Sequence, residues 1–528
     1  MNFTDYLFLP VSVVAIGIYF ILPRRIRWIW LLLISLLFLA TWGIDLVPIL
    51  LIMTGIAWVG GCMISWQVNR RGKRKAGKWI LIIAVICLLL PLIYVKLQSY
   101  LAGWEMFLPL VTFVNRVHQK VSSWISMIPG AYCLITVGDI LVPLGISYYT
   151  LSLIGYMADV YWKKEKVEKN YFKLLLFTAY YPKILEGPIS KHRNVASQLI
   201  EAHSFDYQRV CFGLQRVVWG FFKKWVIADR LAIVVNAVFQ NVEAYSGSQI
   251  LIAAVFGAFQ LYCDFSGCMD IGLGISECFG ITLEENFNHP FFSRSAAEFW
   301  RRWHITLGAW FKDYVYLPLT VSPMLMKITR ILGKRFGRRA GKIFITAVPL
   351  AVVWLLTGLW HGTGKNYLAW GAYWGGILIL TSALDPEIRK LKKKLHLPVE
   401  SKGYILFQQI RTFALFVISR LITLPGALGY SVIACRKIFT QFQLWKLFNG
   451  SLSMQGFDER RFLVLLLALG LLWLVSRKEE EGVGYREWVA ARPIVIRWII
   501  YLGFIFIVLI FGAYGAAYDS SAFVYMQY

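Results

Sequence analysis

Apolar residues come in long runs along this chain, separated by short clusters of Lys and Arg. The runs at 7–22, 28–42, 47–66 and 79–97 are each near the ~20 residues that cross a bilayer as a helix. Arg24, Arg25 and Arg27 follow the first run, and Arg70, Arg71, Lys73, Arg74, Lys75 and Lys78 follow the third, whereas 41–45 carries no basic residue. Cytoplasmic loops concentrate Lys and Arg, so this alternation predicts an outside N-terminus. Asp5 and the lack of a basic segment before the first run predict a retained span rather than a cleaved signal. The fourth span then exports 98–139, a mixed stretch with Trp104 and Trp124 that reads as partly interfacial. Residues 140–162 return to Lys163, Lys164, Lys166 and Lys169.

The middle of the chain departs from this rhythm. Residues 171–181 are too short to span, and Pro182 and Gly187–Pro188 interrupt the stretch after them. Residues 209–230 mix aromatics with Lys223, Lys224 and Arg230 as an interfacial helix would. Broken backbone at membrane depth is tolerated only where protein or a wet cavity surrounds it, so this region reads as re-entrant or in-plane helices walling a cavity. Residues 250–263 form an apolar run that is short for a crossing. Residues 296–316 then show Trp300, Trp303, Leu307, Trp310 and Tyr314 at helical spacing, with Ser295 and Glu298 as a capping box and Pro318 as the stop. Further spans are expected at 343–361, 367–384, 404–424, 462–475 and 494–512, with basic loops at 327–342, 389–394 and 477–478. The whole reads as an all-α polytopic membrane protein of about eleven helices, with the C-terminal tail outside. It shows no soluble domain, internal repeat or low-complexity linker.

Composition agrees with that class and removes others. Of 528 residues, 58% are hydrophobic and 16% charged, more apolar surface than a soluble protein of this size needs. The net charge of +26 lies in the inter-span loops, so no nucleic-acid partner is expected. The eight Cys are scattered through apolar segments in no metal-binding spacing; Cys263 and Cys268 stand near each other without a second pair.

Polar residues inside apolar runs are the candidates for chemistry, because they are costly at that depth. His361 ends a run on the face of Gly358 and Trp354, and Gly362 and Gly364 follow as a helix stop. A helix C-terminus favours imidazolium, which suits a base; the competing reading is a histidine that satisfies a carbonyl at the membrane boundary. His304 falls on the apolar face of 296–316, with Gly308 leaving space beside it; alone, it is as readily a satisfied ring in an aromatic helix. Arg301, Arg302, Lys312 and Asp313 form a rim that would receive a phosphate-rich ligand such as coenzyme A, or else snorkel to headgroups. Tyr262, Asp264, Ser266, Glu186, Asn286 and Asn288 complete the inward polar set, and Arg301 or Arg302 are candidate partners for the two carboxylates. The glycines from Gly272 to Gly280 lack nucleotide-loop spacing and context.

The block F-W-R-R-W-H-I-T-L at 299–307, then W-F-K-D-Y-V-Y-L-P-L at 310–319 and L-W-H-G at 359–362, resembles the membrane-bound O-acyltransferases. Y-C-D-F-S-G at 262–267 and E-G-P-I at 186–189 add to the likeness, which runs from about residue 142 to the end. It is nearest the bacterial branch of alginate O-acetylases, peptidoglycan O-acetyltransferases and teichoic-acid D-alanylation proteins.

The resemblance implies a helical funnel or tunnel with His361 as catalytic base at its narrowest point and His304 as the second catalytic histidine. Residues 1–139 would be N-terminal spans, 140–400 the catalytic core and 401–528 C-terminal spans of one integrated domain. Trp303 and Trp360 would join the polar set above in holding substrate or donor. No cofactor is bound; the donor would be acetyl-CoA or a carrier-protein thioester, met from the cytoplasm. The acyl group would pass outward to a hydroxyl of a cell-surface polysaccharide or cell-wall polymer. An SGNH-hydrolase-like protein outside the cytoplasmic membrane of a bacterium would be the partner. The final residues, 523–528, resemble a C-terminal signature whose Tyr525 would carry the acyl group, against the plainer reading of an interfacial anchor. The sequence departs from the family at His289, given no catalytic role, and at Thr320–Val321, where a Gly pair is usual. Two other readings remain: D-alanyl transfer from a carrier protein, and a transporter that uses the same polar groups for proton coupling.

Overall fold

Apolar runs this long become helices because a lipid-facing backbone must satisfy its own hydrogen bonds. The computed structural model describes residues 2–5, 7–101, 145–450 and 458–513. Among them the architecture is helical, with one isolated bridge between Phe287 and Trp303 in place of any sheet. The chain divides into two units, Met1–Val217 with Cys268–Glu284, and Val218–Gly267 with Glu285–Tyr528.

The first unit contains α1 (Phe8–Ile21), α2 (Arg27–Ala40), α3 (Leu46–Ser65), α4 (Arg74–Leu101), α5 (Ile146–Tyr161), α6 (Tyr171–Ala179) and α7 (His192–Ile200). Most of α8 (Tyr207–Phe221) also belongs to it. Arg27, buried at the start of α2, donates to the carbonyls of Phe20 and Leu22 at the end of α1 and to that of His203. A cation there answers the open carbonyls of a helix C-terminus. The α6–α7 connection is held by Ser190 Oγ donating to Glu284 at 2.6 Å and by Asn194 at 3.0 Å.

The second unit contains α9 (Asp229–Gln240), the longer part of α10 (Gly247–Cys278), α11 (Ala296–Arg302) and α12 (Ile305–Phe311). After these come α13 (Pro323–Phe336), α14 (Arg338–His361), α15 (Lys365–Lys394), α16 (Lys402–Thr423) and α17 (Leu428–Thr440). The last are α18 (Glu459–Glu480), α19 (Tyr485–Ala490) and α20 (Ile494–Phe511). In α20, 18 residues long, Val508 alone is buried, so its apolar surface is turned to lipid rather than to protein.

Seven helices among the described residues are long and apolar enough to cross a membrane, against the expected count of about eleven. Several helices expected to span fall outside that set for a physical reason: α1 and α2 have 14 residues each and α5 has 16, and α18 carries charges at both ends. The short span expected at 250–263 is part of α10, 32 residues long and mostly buried. The interfacial helix expected at 209–230 is a correction too. Phe222–Ala228 is π-helical, and Lys223 and Lys224 on it are 4% and 1% exposed, inside the protein rather than at its edge.

α14 and α15 form the tightest pairing, and glycine allows it. A Cβ on Gly358 would lie 2.5 Å from the Tyr367 carbonyl oxygen, and one on Gly371 2.5 Å from that of Trp354. Both are overlaps with backbone, which no rotamer change relieves. Gly371→Val is therefore expected to destabilise the protein by about 1–3 kcal/mol or more, seen as a lower thermal midpoint in detergent, whereas Gly376→Ala, with open space around it, leaves the midpoint nearly unchanged.

Candidate active site

The region expected to be one helix from 296 to 316 breaks at His304. Ser295 caps α11 as the capping box predicts, accepting from Glu298 N at 3.2 Å, while Glu298 reaches back to Arg294 N at 2.9 Å. At the other end Trp303 is extended and His304 takes φ +47°, a left-handed conformation that is uncommon outside glycine. Contacts remote in sequence impose the break. Asn288 N donates to Arg302 O at 2.9 Å and Ile305 N to Asn286 O at 3.0 Å, so 286–288 pairs with 302–305. The Asn286 side chain finishes the turn: its Oδ1 accepts from Thr306 N at 3.1 Å and from Thr306 Oγ1 at 2.9 Å. The helix also ends two residues past Pro318, at Thr320, after a π-helical stretch at Lys312–Tyr316.

Because a backbone N–H can only donate, the Asn286 atom it meets is the oxygen. His304 Nδ1 lies 3.1 Å from the same atom and so carries a proton; in the neutral ring Nε2 is then the accepting nitrogen. His304 lies outside the seven candidate spans, is 3% exposed, and sits edge-on to Phe265 with ring centres 4.8 Å apart. Burial, and secondarily the nearby His361, hold its pKa well below the ordinary histidine value.

His361 is the last residue of α14, and Gly362 after it is extended. Tyr367 packs so closely that a Cβ on Gly362 would lie 2.3 Å from its ring, which accounts for the glycine better than any helix-stopping role. Both histidines pack against one indole: the Trp360 ring centre is 5.8 Å from that of His304 and 4.9 Å from that of His361. The far side of His361 faces Trp370 at 5.1 Å. Trp300, Trp354, Trp370 and Trp374 pack together behind them. His361 lines a cavity of about 30 Å³ with Trp300, Trp303, Trp370, Arg420 and Thr423, room for water but not for a sugar.

The other expected residues divide. Trp303 stacks on Phe299 and lines the cavity. Tyr262 packs on Phe291 and Trp303, with ring centres 4.9 and 6.0 Å away. Asp264, for which Arg301 or Arg302 was the expected partner, pairs with Lys224 at 2.7 Å, and Ser266 accepts from Lys223 at 2.9 Å. Lys224 also meets Asp229 at 2.8 Å; burial works against its charge, but the two carboxylates outweigh that and hold it above the ordinary lysine value. Arg302 is engaged by Glu298 at 2.9 Å and, through both Nη atoms, by Glu480 at 2.7 and 2.8 Å, so it is not an open rim cation. Arg301, Lys312 and Asn288 are exposed, Asp313 is half-buried, and Glu186 is buried in the first unit. His289 approaches Glu479 at 3.6 Å, away from the two central histidines in role. Cys263 and Cys268 are buried free thiols, and Tyr525 lies outside the described residues. Sequence reasoning missed Lys224 and Arg420; the latter was visible as a charge inside the apolar run 404–424.

Residues 168–333 match the family model described as MBOAT, membrane-bound O-acyltransferase family. A protein of Azotobacter vinelandii named "Probable alginate O-acetylase" is 31% identical over 76% of this chain and 73% of its own length. The chain belongs to the membrane-bound O-acyltransferase family. A protein of the same name from Pseudomonas aeruginosa is 33% identical over 72% of this chain. The match spans about 65% of that relative's length. The peptidoglycan O-acetyltransferase of Helicobacter pylori is 28% identical over 73% of this chain and 70% of its own. The family match includes the His304 block, while His361 lies beyond residue 333 and joins it through the fold.

Asn286→Ala is expected to lower stability by about 2 kcal/mol, since it strips acceptors from buried donors, and ¹⁵N-histidine spectra should show His304 losing its Nδ1-protonated form. The pH dependence has a definite sign. The folded protein keeps His304 neutral while the unfolded chain takes a proton below ~6.5, so the ring's contribution to stability is lost as pH falls through that value. Thermal midpoints from pH 7 to pH 5 should therefore fall less steeply in His304→Gln than in the wild type.

Proposed function

We propose that this protein is an O-acyltransferase that moves a small acyl group, acetyl in the simplest case, from a cytoplasmic thioester to a hydroxyl of a cell-surface or cell-wall polymer. One observation carries the reading: two imidazoles, 57 positions apart in the sequence of a membrane protein, flank one indole in a buried aromatic cluster, and one of them opens on a cavity. Family membership and the names of the relatives support the reaction class.

A hydroxyl is a poor nucleophile at neutral pH, and a base must take its proton during attack. His361 does this as the acceptor oxygen bonds to the thioester carbonyl carbon. The tetrahedral intermediate collapses with cleavage of the carbon–sulfur bond, and the imidazolium returns its proton to the leaving thiolate. His304, as a neutral ring protonated on Nδ1 whose Nε2 can only accept, suits orienting the hydroxyl better than stabilising an oxyanion. The donor is acetyl-CoA or a carrier-protein thioester. The protein sits in the cytoplasmic membrane of a bacterium with both termini outside, as the basic loops suggest. In the relay the first acceptor oxygen is the phenol of Tyr525 on the outer tail; a polymer hydroxyl then attacks that ester and frees the phenol, and an extracytoplasmic SGNH-hydrolase-like protein completes delivery.

The test is transfer of labelled acetyl from acetyl-CoA by the full chain in liposomes, scored as thioester loss and as label on Tyr525 or on added polymer. His361→Ala should lower the rate by about 10²–10⁴-fold, the usual weight of general base catalysis, with unchanged insertion and elution on gel filtration. Activity near that of the wild type in this variant would remove the base assignment. Solute movement across the bilayer with no thioester consumed would indicate a carrier instead.

A further inference from the structure

Arg420 lies in α16, one of the seven candidate spans, and is 6% exposed. An arginine stays charged at this depth, and a buried guanidinium normally faces a carboxylate or a set of carbonyls. Here Nη1 donates to the Thr423 hydroxyl at 3.0 Å, and among the described residues no carboxylate meets the group and Nε has no acceptor. The side chain is nevertheless part of the wall of the His361 cavity. Trp300 Nε1, from the same wall, is also a buried donor without an acceptor among the described residues. The hydroxyl of Thr423 engages one end of the guanidinium and leaves its Nε–Nη2 edge for another partner. That edge presents two parallel N–H groups, a fork that matches the two oxygens of a carboxylate or phosphate.

We infer that the Nε–Nη2 edge of Arg420 is a docking site for an oxyanion, carboxylate or phosphate, in the cavity that His361 lines. Within the acyl-transfer reading, on which the name "substrate" rests, this oxyanion belongs to the substrate and Arg420 fixes its place beside the base. A carboxylate would come from the acceptor and a phosphate from the thioester donor. The cation is neutralised only when that group arrives, so an uncharged analogue gains little from the site. Thr423 is the positioning residue, since its hydroxyl holds the guanidinium with the fork edge open.

The cavity's tryptophans supply a direct readout without turnover. The full chain in detergent is titrated with sodium acetate, and separately with sodium phosphate, at constant ionic strength, and tryptophan emission is followed; acetamide is the neutral control. A saturable change with at least one oxyanion and none with acetamide is expected. Acetate or phosphate giving the tighter response identifies the carboxylate or phosphoryl source. Arg420→Gln should weaken the response at least tenfold, and Arg420→Lys, which keeps charge but loses the fork, should fall between. No response in the wild type, an equal response to acetamide, or an unchanged affinity in Arg420→Gln overturns the proposal. If the glutamine variant does not fold, Arg420→Lys decides, and wild-type affinity in it overturns the fork. A protein that binds the oxyanion yet consumes no thioester defeats the acyl-transfer reading and leaves this site standing.

Discussion

A single side-chain oxygen, Oδ1 of Asn286, is the fixed point of this site. It receives the Thr306 amide and hydroxyl and lies against His304 Nδ1, so one buried acceptor both starts α12 and sets the tautomer of a catalytic candidate. Local preference opposes the turn, because a non-glycine residue at φ +47° is strained. The conformation persists because the pairing of 286–288 with 302–305 surrounds it with satisfied backbone groups. Without that oxygen the aromatic spacing from Trp300 to Tyr314 would favour one unbroken helix, and His304 would follow its direction.

Lipid as solvent explains much of the rest. Helices such as α20 leave almost all of their apolar surface outward. Packing strength comes instead from backbone approach between α14 and α15 and from aromatic rings around His361. Several cations are matched by carboxylates: buried Lys224 with Asp264 and Asp229, and half-buried Arg302 with Glu298 and Glu480. Against that background Arg420, which among the described residues meets a threonine hydroxyl and no carboxylate, stands out, because burying a cation without a counter-charge is costly.

The features legible in the sequence were those set by local signals. The run ending in Trp360–His361–Gly362 placed one histidine at a helix end, and Ser295 with Glu298 marked a helix start. The helix break at His304 was hidden because its cause, Asn286, acts from outside the apparent helix. Lys223 and Lys224 read as interfacial because charges beside aromatics usually are; their partners Ser266 and Asp264 come about forty positions later, past another helix. Arg420 sat in plain view inside an apolar run, but a span that carries two arginines, Arg411 and Arg420, still reads as a span.

The glycine seam between α14 and α15 has a bearing on how anything reaches His361. With Gly358 and Gly371 in backbone contact, the two helices form a rod without slack, and His361 and Trp370 ride on it together. A space of about 30 Å³ cannot receive a thioester or a sugar while every wall stays put. The yielding side must then be the one built from bulky side chains rather than touching backbones, where α16 contributes Phe416, Arg420 and Thr423. Admission and charge recognition would thus fall on the same moving wall, while His361 stays with the rod.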